Sequence, residues 1–105
     1  VFDTDSDRHV NTITLAHQSA SDPTPDLADI SPSGDRVFVS LRGPNPLSGS
    51  PHAATGSTPG LGVIQVKHGG RGGELKSVVQ ISNLDTAGFE RADAHGIRVR
   101  LKRLK

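Results

Sequence analysis

The chain of 105 residues contains no cysteine, methionine, tryptophan or tyrosine, and its only large aromatic residues are three phenylalanines. The lack of cysteine excludes disulfides, cysteine-containing zinc sites and cysteine nucleophiles. No apolar run approaches the roughly 20 residues that a membrane-spanning helix requires. The first residues also lack the basic-then-apolar pattern of a signal peptide. The sequence therefore predicts no membrane span.

Hydrophobic residues are also scarce, at 32% of the chain. Ordinary domains contain roughly 45–50% apolar residues, although that figure includes glycine. Small domains already bury a smaller share of their surface than large ones, so a core built from this chain alone would be thin. We therefore expect the chain to depend on further polypeptide or on a partner. The start at Val1 fits a processed chain or a segment of something longer.

The net charge is only +1, but acidic and basic residues are unevenly distributed. Residues 1–40 contain seven aspartates against two arginines, whereas residues 91–105 contain six basic residues against Asp93. An acidic front and a basic end could steer a partner or attract each other. The alternative is that both are solvated strand faces.

Short runs rich in β-branched residues dominate the chain, and no segment keeps a helical apolar stripe for three turns. These runs predict strands at residues 10–15, 27–31, 36–41, 61–66, 75–81 and 95–101. The segment "SPSGDR" (31–36) has the composition of a tight turn, with Pro32 fixing φ and Gly34 available for positive φ. Such short links favour an antiparallel meander.

The predicted strands follow an internal repeat. Residues 1–15 and 63–81 both read as strand, polar turn, strand, and residues 25–41 parallel residues 94–105. This order predicts an all-β fold of antiparallel four-stranded propeller-blade meanders, about two blades of an incomplete β-propeller. The corresponding ranges are a first blade at 1–42, a Gly/Pro-rich inserted loop at 43–60, and a second, incomplete blade with a basic end at 61–105.

Two stretches, "VFDTDSDRHVNTITL" (1–15) and "PDLADISPSGDRVFVSLRG" (25–43), resemble the repeat of YVTN-type β-propellers. That repeat has a "V-I-D-T" strand, a "V-V-x-T-I" strand and then "P-x-x-L-A-I-S-P-D-G-x-R-V-Y-V-A". The segment "ADAHGIRVR" (92–100) is similar to "A-D-P-H-G-I-x-V", with Ala94 in place of the usual proline. The resemblance covers nearly all of the chain outside 43–60. It implies a lactonase-like or surface-layer-like propeller, an extracytoplasmic or secreted location, and other blades or partner protein chains as neighbours.

Known propellers close with roughly four to eight blades, so fewer than two blades leave sheet faces and edges uncovered. Three arrangements would cover them: a fragment of a full propeller, a ring of several copies, or docking onto a larger complex. A homo-oligomer is therefore among the expected partners.

Three aspartates, Asp3, Asp5 and Asp7, have the spacing that opens an EF-hand calcium loop. That loop also requires glycine at its sixth position and glutamate at its twelfth, where this chain has Arg8 and Thr14. The pattern instead predicts a hairpin turn whose carboxylates accept local backbone N–H groups.

Five histidines raise the question of a metal site: His9, His17, His52, His68 and His95. None has the spacing of a known metal motif, so we predict neither a metal site nor a cofactor. His95 begins a predicted inner strand, which in propellers borders the central channel. Asp93 is placed to orient its imidazole. We predict binding roles for both, and for His95 we favour a structural bond to a neighbouring blade over catalysis or metal ligation.

The predicted strand 95–101 places Arg98, Arg100 and Lys102 on one face. These three complete the predicted binding residues. Phosphate contact is conceivable, but no aromatic residues are interleaved to stack bases, so nucleic acid is not the expected partner.

No nucleophile motif occurs in the chain, and no catalytic residue is predicted. We expect a noncatalytic binding or scaffold module that completes its fold with other polypeptide. Two alternatives stay open: a propeller enzyme, lactonase-like or oxidoreductase-like, to which His95 contributes a channel-facing side chain, and a small accessory subunit docked on a larger complex.

Overall fold

The computed structural model describes residues 1–16, 22–47 and 54–102. Within these ranges the protein is all-β and contains no α-helix. The six strands are β1 (Phe2–Asp3), β2 (Arg8–His9), β3 (Pro25–Ile30), β4 (Arg36–Leu41), β5 (Gly60–Lys67) and β6 (Gly72–Gln80). A short 3₁₀ turn, His68–Gly70, connects β5 to β6. The described residues include no helix with the length and apolar character to cross a membrane.

The strands form two antiparallel sheets. One is the two-stranded ladder β1-β2, and the other is a four-stranded sheet in the order β3-β4-β5-β6. Each strand of the larger sheet pairs with its neighbour in sequence, so the predicted antiparallel four-stranded meander is confirmed. Residues on both sides of 43–60 contribute strands to this sheet, and the division into two blade units stays a prediction. The sheet is open, with β3 and β6 at its edges.

The predicted turn at 31–36 is confirmed between β3 and β4. Gly34 has a φ of 76°, a conformation that strongly favours glycine. Its N–H donates to the carbonyl of Ser31 at 2.8 Å, and the Ser31 N–H donates to the carbonyl of Arg36 at 2.8 Å. The Asp35 carboxylate accepts the Ser31 hydroxyl at 3.0 Å. Local polar groups therefore close this turn.

The strands predicted at 10–15 and 95–101 are wrong, because neither segment is part of a sheet ladder. A strand requires a neighbouring strand that exchanges backbone hydrogen bonds with it. The β1-β2 ladder continues only as far as Val10 and Asn11, whose N–H groups both donate to the carbonyl of Val1. Residues 95–101 share with the sheet a single hydrogen bond between two backbone groups, from the Leu27 N–H to the His95 carbonyl at 3.4 Å.

The core lies on one face of the four-stranded sheet. Alternating side chains of the strands meet there, as the two-residue period of a strand requires. The buried members are Val39, Leu41, Ile64 and Leu75, with Ile13, Leu15, Val37 and Val78 partly buried against them. Residues 10–15 thus cover the sheet with their side chains although they do not pair with it.

The segment between β4 and β5 is closed at its base. The Gly56 N–H donates to the Gly43 carbonyl at 3.3 Å, and the Thr24 hydroxyl donates to the Thr55 carbonyl at 2.8 Å. The two ends of this connection are therefore held side by side next to the residues that precede β3.

Candidate functional site

The candidate site is centred on Arg42, the first residue after β4. Its N–H donates to the carbonyl of Thr24 at 2.8 Å, which fixes its backbone beside the chain that leads into β3. Its side chain is only 11% exposed. A guanidinium stays charged in proteins, so a buried one requires anionic partners.

Asp93 and Asp26 are those partners. Arg42 donates from Nε to Oδ1 of Asp93 at 2.7 Å and from Nη2 to Oδ2 at 3.0 Å, which is the two-pronged geometry of the strongest arginine–carboxylate pairs. Its Nη1 donates to Oδ2 of Asp26 at 3.1 Å. The Asp93 side chain is 9% exposed, and its Oδ1 also accepts the N–H of Gly43 at 2.9 Å. Asp93 therefore connects the C-terminal segment to the end of β4.

The electrostatics keep this pair ionised. The pKa of Asp93 is lowered to about 2, chiefly by hydrogen bonding to Arg42 and also by the Gly43 N–H, against the opposing effect of burial. The hydrogen bonds that Arg42 donates to Asp93 in turn raise the pKa of Arg42. Each charge thus stabilises the other across the neutral pH range.

Gly43 allows the two segments to approach this closely. A Cβ atom at this position would lie 1.8 Å from the carbonyl oxygen of Ala92. Any side chain would therefore push the 92–95 segment away from the end of β4, and the Asp93 carboxylate would lose its contacts with Arg42 and with the Gly43 N–H.

His95 lies at the open side of the cluster and is half exposed. Its Nε2 is 2.9 Å from Oδ2 of Asp93, and its Nδ1 is 3.7 Å from Oδ2 of Asp26. The first distance is that of a hydrogen bond and the second is too long for one. The structure therefore brings together His95 and Asp93, the two residues that the sequence analysis paired.

The three basic residues lie apart from this cluster. Arg98, Arg100 and Lys102 are exposed and make no salt bridge within the described part of the chain. Next to them, the Asp29 carboxylate accepts the Val99 N–H at 2.8 Å, and this bond is the main reason why the pKa of Asp29 is lowered. The predicted binding residues thus form two sets, the buried cluster and an exposed basic segment.

The sequence did not reveal Arg42 and Asp26 as members of the site. Arg42 and Asp93 are 51 residues apart, so no spacing rule connects them. The available signal was a charged residue placed directly after the apolar run "VFVSL" and before a glycine. Such a position indicates a residue that needs a partner, but it does not identify the partner.

The aspartates near the N-terminus form a local turn. The Asp5 N–H donates to Oδ1 of Asp3 at 2.9 Å, which confirms the turn that the sequence predicts. Asp7 adopts a positive φ of 54°, and Asp3 makes a salt bridge of 3.5 Å with Arg71. The residues that the structure describes contain no group of three or more His, Cys, Asp or Glu arranged to hold a metal ion.

The other histidines do not join the cluster. Nε2 of His9 and the hydroxyl of Thr12 share a hydrogen bond of 2.9 Å, and His68 is exposed in the 3₁₀ turn. His17 and His52 lie outside the described residues.

Comparisons with protein-family models, curated proteins and solved structures found no match for this chain.

The chemistry of the cluster follows from which groups are already engaged. Both oxygens of Asp93 and three nitrogens of Arg42 are occupied in holding the 92–95 segment against the sheet. His95 is the member of the cluster with most access to solvent. The arrangement can therefore fix a segment in place and present one imidazole to a neighbouring polar group.

Proposed function

We propose that the protein is a noncatalytic binding or scaffold module, part of a YVTN-type β-propeller that is completed by other blades or chains. The observation that carries the proposal is the position of the C-terminal segment. Leu27 donates its N–H to the His95 carbonyl, and Asp29 accepts the N–H of Val99. The contacts pair residue 27 with residue 95 and residue 29 with residue 99, so the C-terminal segment runs parallel to the edge strand β3.

A parallel neighbour is unexpected in a sheet that is otherwise an antiparallel meander. It is the arrangement expected where the first strand of one blade lies next to the first strand of the following blade around a common axis. The N-terminal segment supports the same arrangement, because its Ile13 and Leu15 cover the core face of the sheet. The sheet is thus flanked by the chain that precedes it and by the chain that follows it.

The polar cluster supports a structural role for its residues. Arg42 and Asp93 use their hydrogen-bonding groups on each other, on Asp26 and on Gly43. A nearly buried pair of this kind fixes the position of one segment against another, because separating the charges is costly. We assign the cluster the task of holding successive units together.

Native mass spectrometry of the protein purified from its natural source tests this proposal. We expect a particle whose mass corresponds to about four to eight blades, as one long chain, as a ring of copies or as a complex with other chains. A different protein chain bound to this one would favour the accessory-subunit form of the proposal. An 11.0 kDa monomer that unfolds cooperatively would contradict it in all forms.

A propeller enzyme is the second candidate, and the exposure of His95 beside Asp93 favours it. A carboxylate that holds an imidazole at 2.9 Å is the arrangement used to orient a general base. In that case His95→Ala would abolish turnover of a lactone or redox substrate in a correctly folded particle, whereas His68→Ala would leave turnover unchanged. Equal activity of the two variants would exclude this candidate.

A further inference from the structure

An open groove, lined by both polar and apolar groups, runs between β3 and the C-terminal segment. Its volume is about 480 Å³. The apolar side chains that line it are Ala28, Ile30, Pro32, Ile97, Val99 and Leu101. Ile30 is 52% exposed and Leu101 is 69% exposed, so the groove leaves apolar surface in contact with water. Adjacent exposed apolar side chains of this kind are typical of an interaction surface.

Basic side chains border this groove. Arg98 lines it, and Arg100 and Lys102 follow at alternate positions along the same segment. All three are exposed and make no salt bridge with the residues that the structure describes. The one acid among the lining residues, Asp29, lies near Arg98 and accepts the Val99 N–H, so basic residues outnumber acidic ones three to one at this edge. A partner that fits here combines an apolar anchor with several carboxylates next to it.

The hairpin of β1 and β2 has this chemistry. Phe2 is 69% exposed, and Asp5 and Asp7 lie exposed in the turn that follows. Neither of these two aspartates has a salt-bridge partner in the described ranges, whereas Asp3 is held by Arg71. The hairpin thus offers an aromatic ring and free carboxylates within a span of six residues.

We infer that the acidic hairpin of a second copy of this chain docks into the basic-edged groove. This deepens the proposed function, on which it rests, by naming the contact that joins copies in a ring. The Phe2 ring would fill the groove, and Asp5 and Asp7 would face Arg98 and Arg100. A buried aromatic side chain removes roughly 150–250 Å² of its surface from water, while the charges select the orientation.

Within one chain, the hairpin of β1 and β2 is held away from the groove. Asp3 ties the hairpin to Arg71 in the connection between β5 and β6, and the Val1 carbonyl is held by Val10 and Asn11. The groove lies between β3 and the C-terminal segment, whereas Phe2 lines a separate pocket with Pro25 and Ala28 on the core face of the sheet. Because the two surfaces differ, each copy would both donate a hairpin and accept one. Such head-to-tail contacts generate a ring if the rotation closes and a filament if it does not.

Charge exchange between two variants tests the contact. One variant carries Arg98→Glu and Arg100→Glu, and the other carries Asp5→Lys and Asp7→Lys. We expect each variant alone to self-associate at least about tenfold more weakly than the unmodified chain in sedimentation velocity. A mixture of the two should recover association, since one reversed groove then meets one reversed hairpin. The association should also weaken in 1 M salt, where the screening length is about 3 Å.

Matched controls separate the contact from net charge and from general stickiness. Lys67→Glu with Lys76→Glu changes the net charge by the same amount as the groove variant, but outside the groove, and should associate like the unmodified chain. Phe2→Ala should weaken association at least about tenfold, whereas Phe89→Ala, which removes another exposed ring, should not.

The outcomes are distinguishable from those of the proposed function. If the unmodified chain does not self-associate, or if the mixed variants fail to recover association, the hairpin contact is wrong. In that event a natural particle of four to eight blades would still support the propeller proposal. A natural 11.0 kDa monomer would contradict the propeller proposal whatever the variants do.

Discussion

Two groups of aspartates differ sharply in what they do. Asp3, Asp5 and Asp7 are close together in sequence and look like a ligand set, yet they form a turn that is closed by a local hydrogen bond and exposes Asp5 and Asp7. Asp26 and Asp93 are far apart in sequence, yet they meet on one nearly buried guanidinium. The comparison indicates that the contribution of a carboxylate to stability depends on its burial and on the geometry of its partners. The number of acidic residues close together in sequence does not determine it.

Replacing Asp93 should lower the free energy of unfolding more than any other substitution in the two groups of aspartates. Asp93→Ala leaves the Arg42 charge without its two-pronged partner at a site that is only 11% exposed. We expect a loss of about 3 kcal/mol in the free energy of unfolding of the full chain, measured by urea denaturation. Asp93→Asn, which keeps the shape and one acceptor, should lose less. If Asp93→Ala lowers the free energy of unfolding by less than about 1 kcal/mol, the cluster does not contribute substantially to the stability of the fold.

Gly43→Ala should have the next largest effect, without touching any charge. The new methyl group would lie 1.8 Å from the Ala92 oxygen and would displace the segment that carries Asp93. Overpacking of this kind costs about 1–3 kcal/mol, again measured as the free energy of unfolding. Gly96→Ala is the control, because a Cβ atom there would lie 3.7 Å from Cδ1 of Leu27, which is an ordinary van der Waals distance. If both variants have the same free energy of unfolding, the close approach of the two segments at Gly43 does not contribute to stability.

Acid should remove the contribution of Asp93 in a defined pH range. The pKa of Asp93 is lowered from 3.8 to about 2 by Arg42, so its stabilising effect is present above pH 4 and is lost as the pH falls towards 2. We expect the unmodified chain to lose about 1–2 kcal/mol more than Asp93→Asn between pH 5 and pH 2. Other carboxylates titrate equally in both proteins, so the difference isolates Asp93. Parallel pH profiles would contradict the assignment.

The smallest effect is expected in the N-terminal turn. Asp5→Ala removes an exposed carboxylate and leaves the hydrogen bond from the residue 5 N–H to Asp3 in place. The free energy of unfolding should change by no more than about 0.5 kcal/mol, as for most surface substitutions. Circular dichroism during thermal unfolding is sufficient to detect a larger change, which would mean that the acidic turn supports more than its own conformation.

Much of the meander could be predicted from the sequence because its signals are local. The alternation in 36–41 and the turn chemistry of 31–36 specify β4 and its entry from β3 without reference to distant residues. The extended segments 10–15 and 95–101 carry the same alternation but form no ladder. Whether such a segment becomes a strand depends on a neighbour that local periodicity does not contain.

The candidate site was predictable only in part for the same reason. Asp93 and His95 are two positions apart in sequence, which made their pairing foreseeable, and in the structure Oδ2 of Asp93 lies 2.9 Å from Nε2 of His95. The role of Arg42 could not be predicted from the sequence, because Arg42 meets Asp93 only when the end of β4 packs against a segment 51 residues later. Long-range pairs of this kind are set by tertiary packing.

The closed base of the connection between β4 and β5 has a consequence for how the chain tolerates change. Because Gly43 and Gly56 are hydrogen-bonded to each other, the residues between them form a side excursion whose two ends already meet. Doubling the length of such an excursion adds only about 0.6 kcal/mol of closure entropy. Extra sequence can therefore be carried there with little effect on the sheet, and this position is a natural place for a recognition element to be inserted.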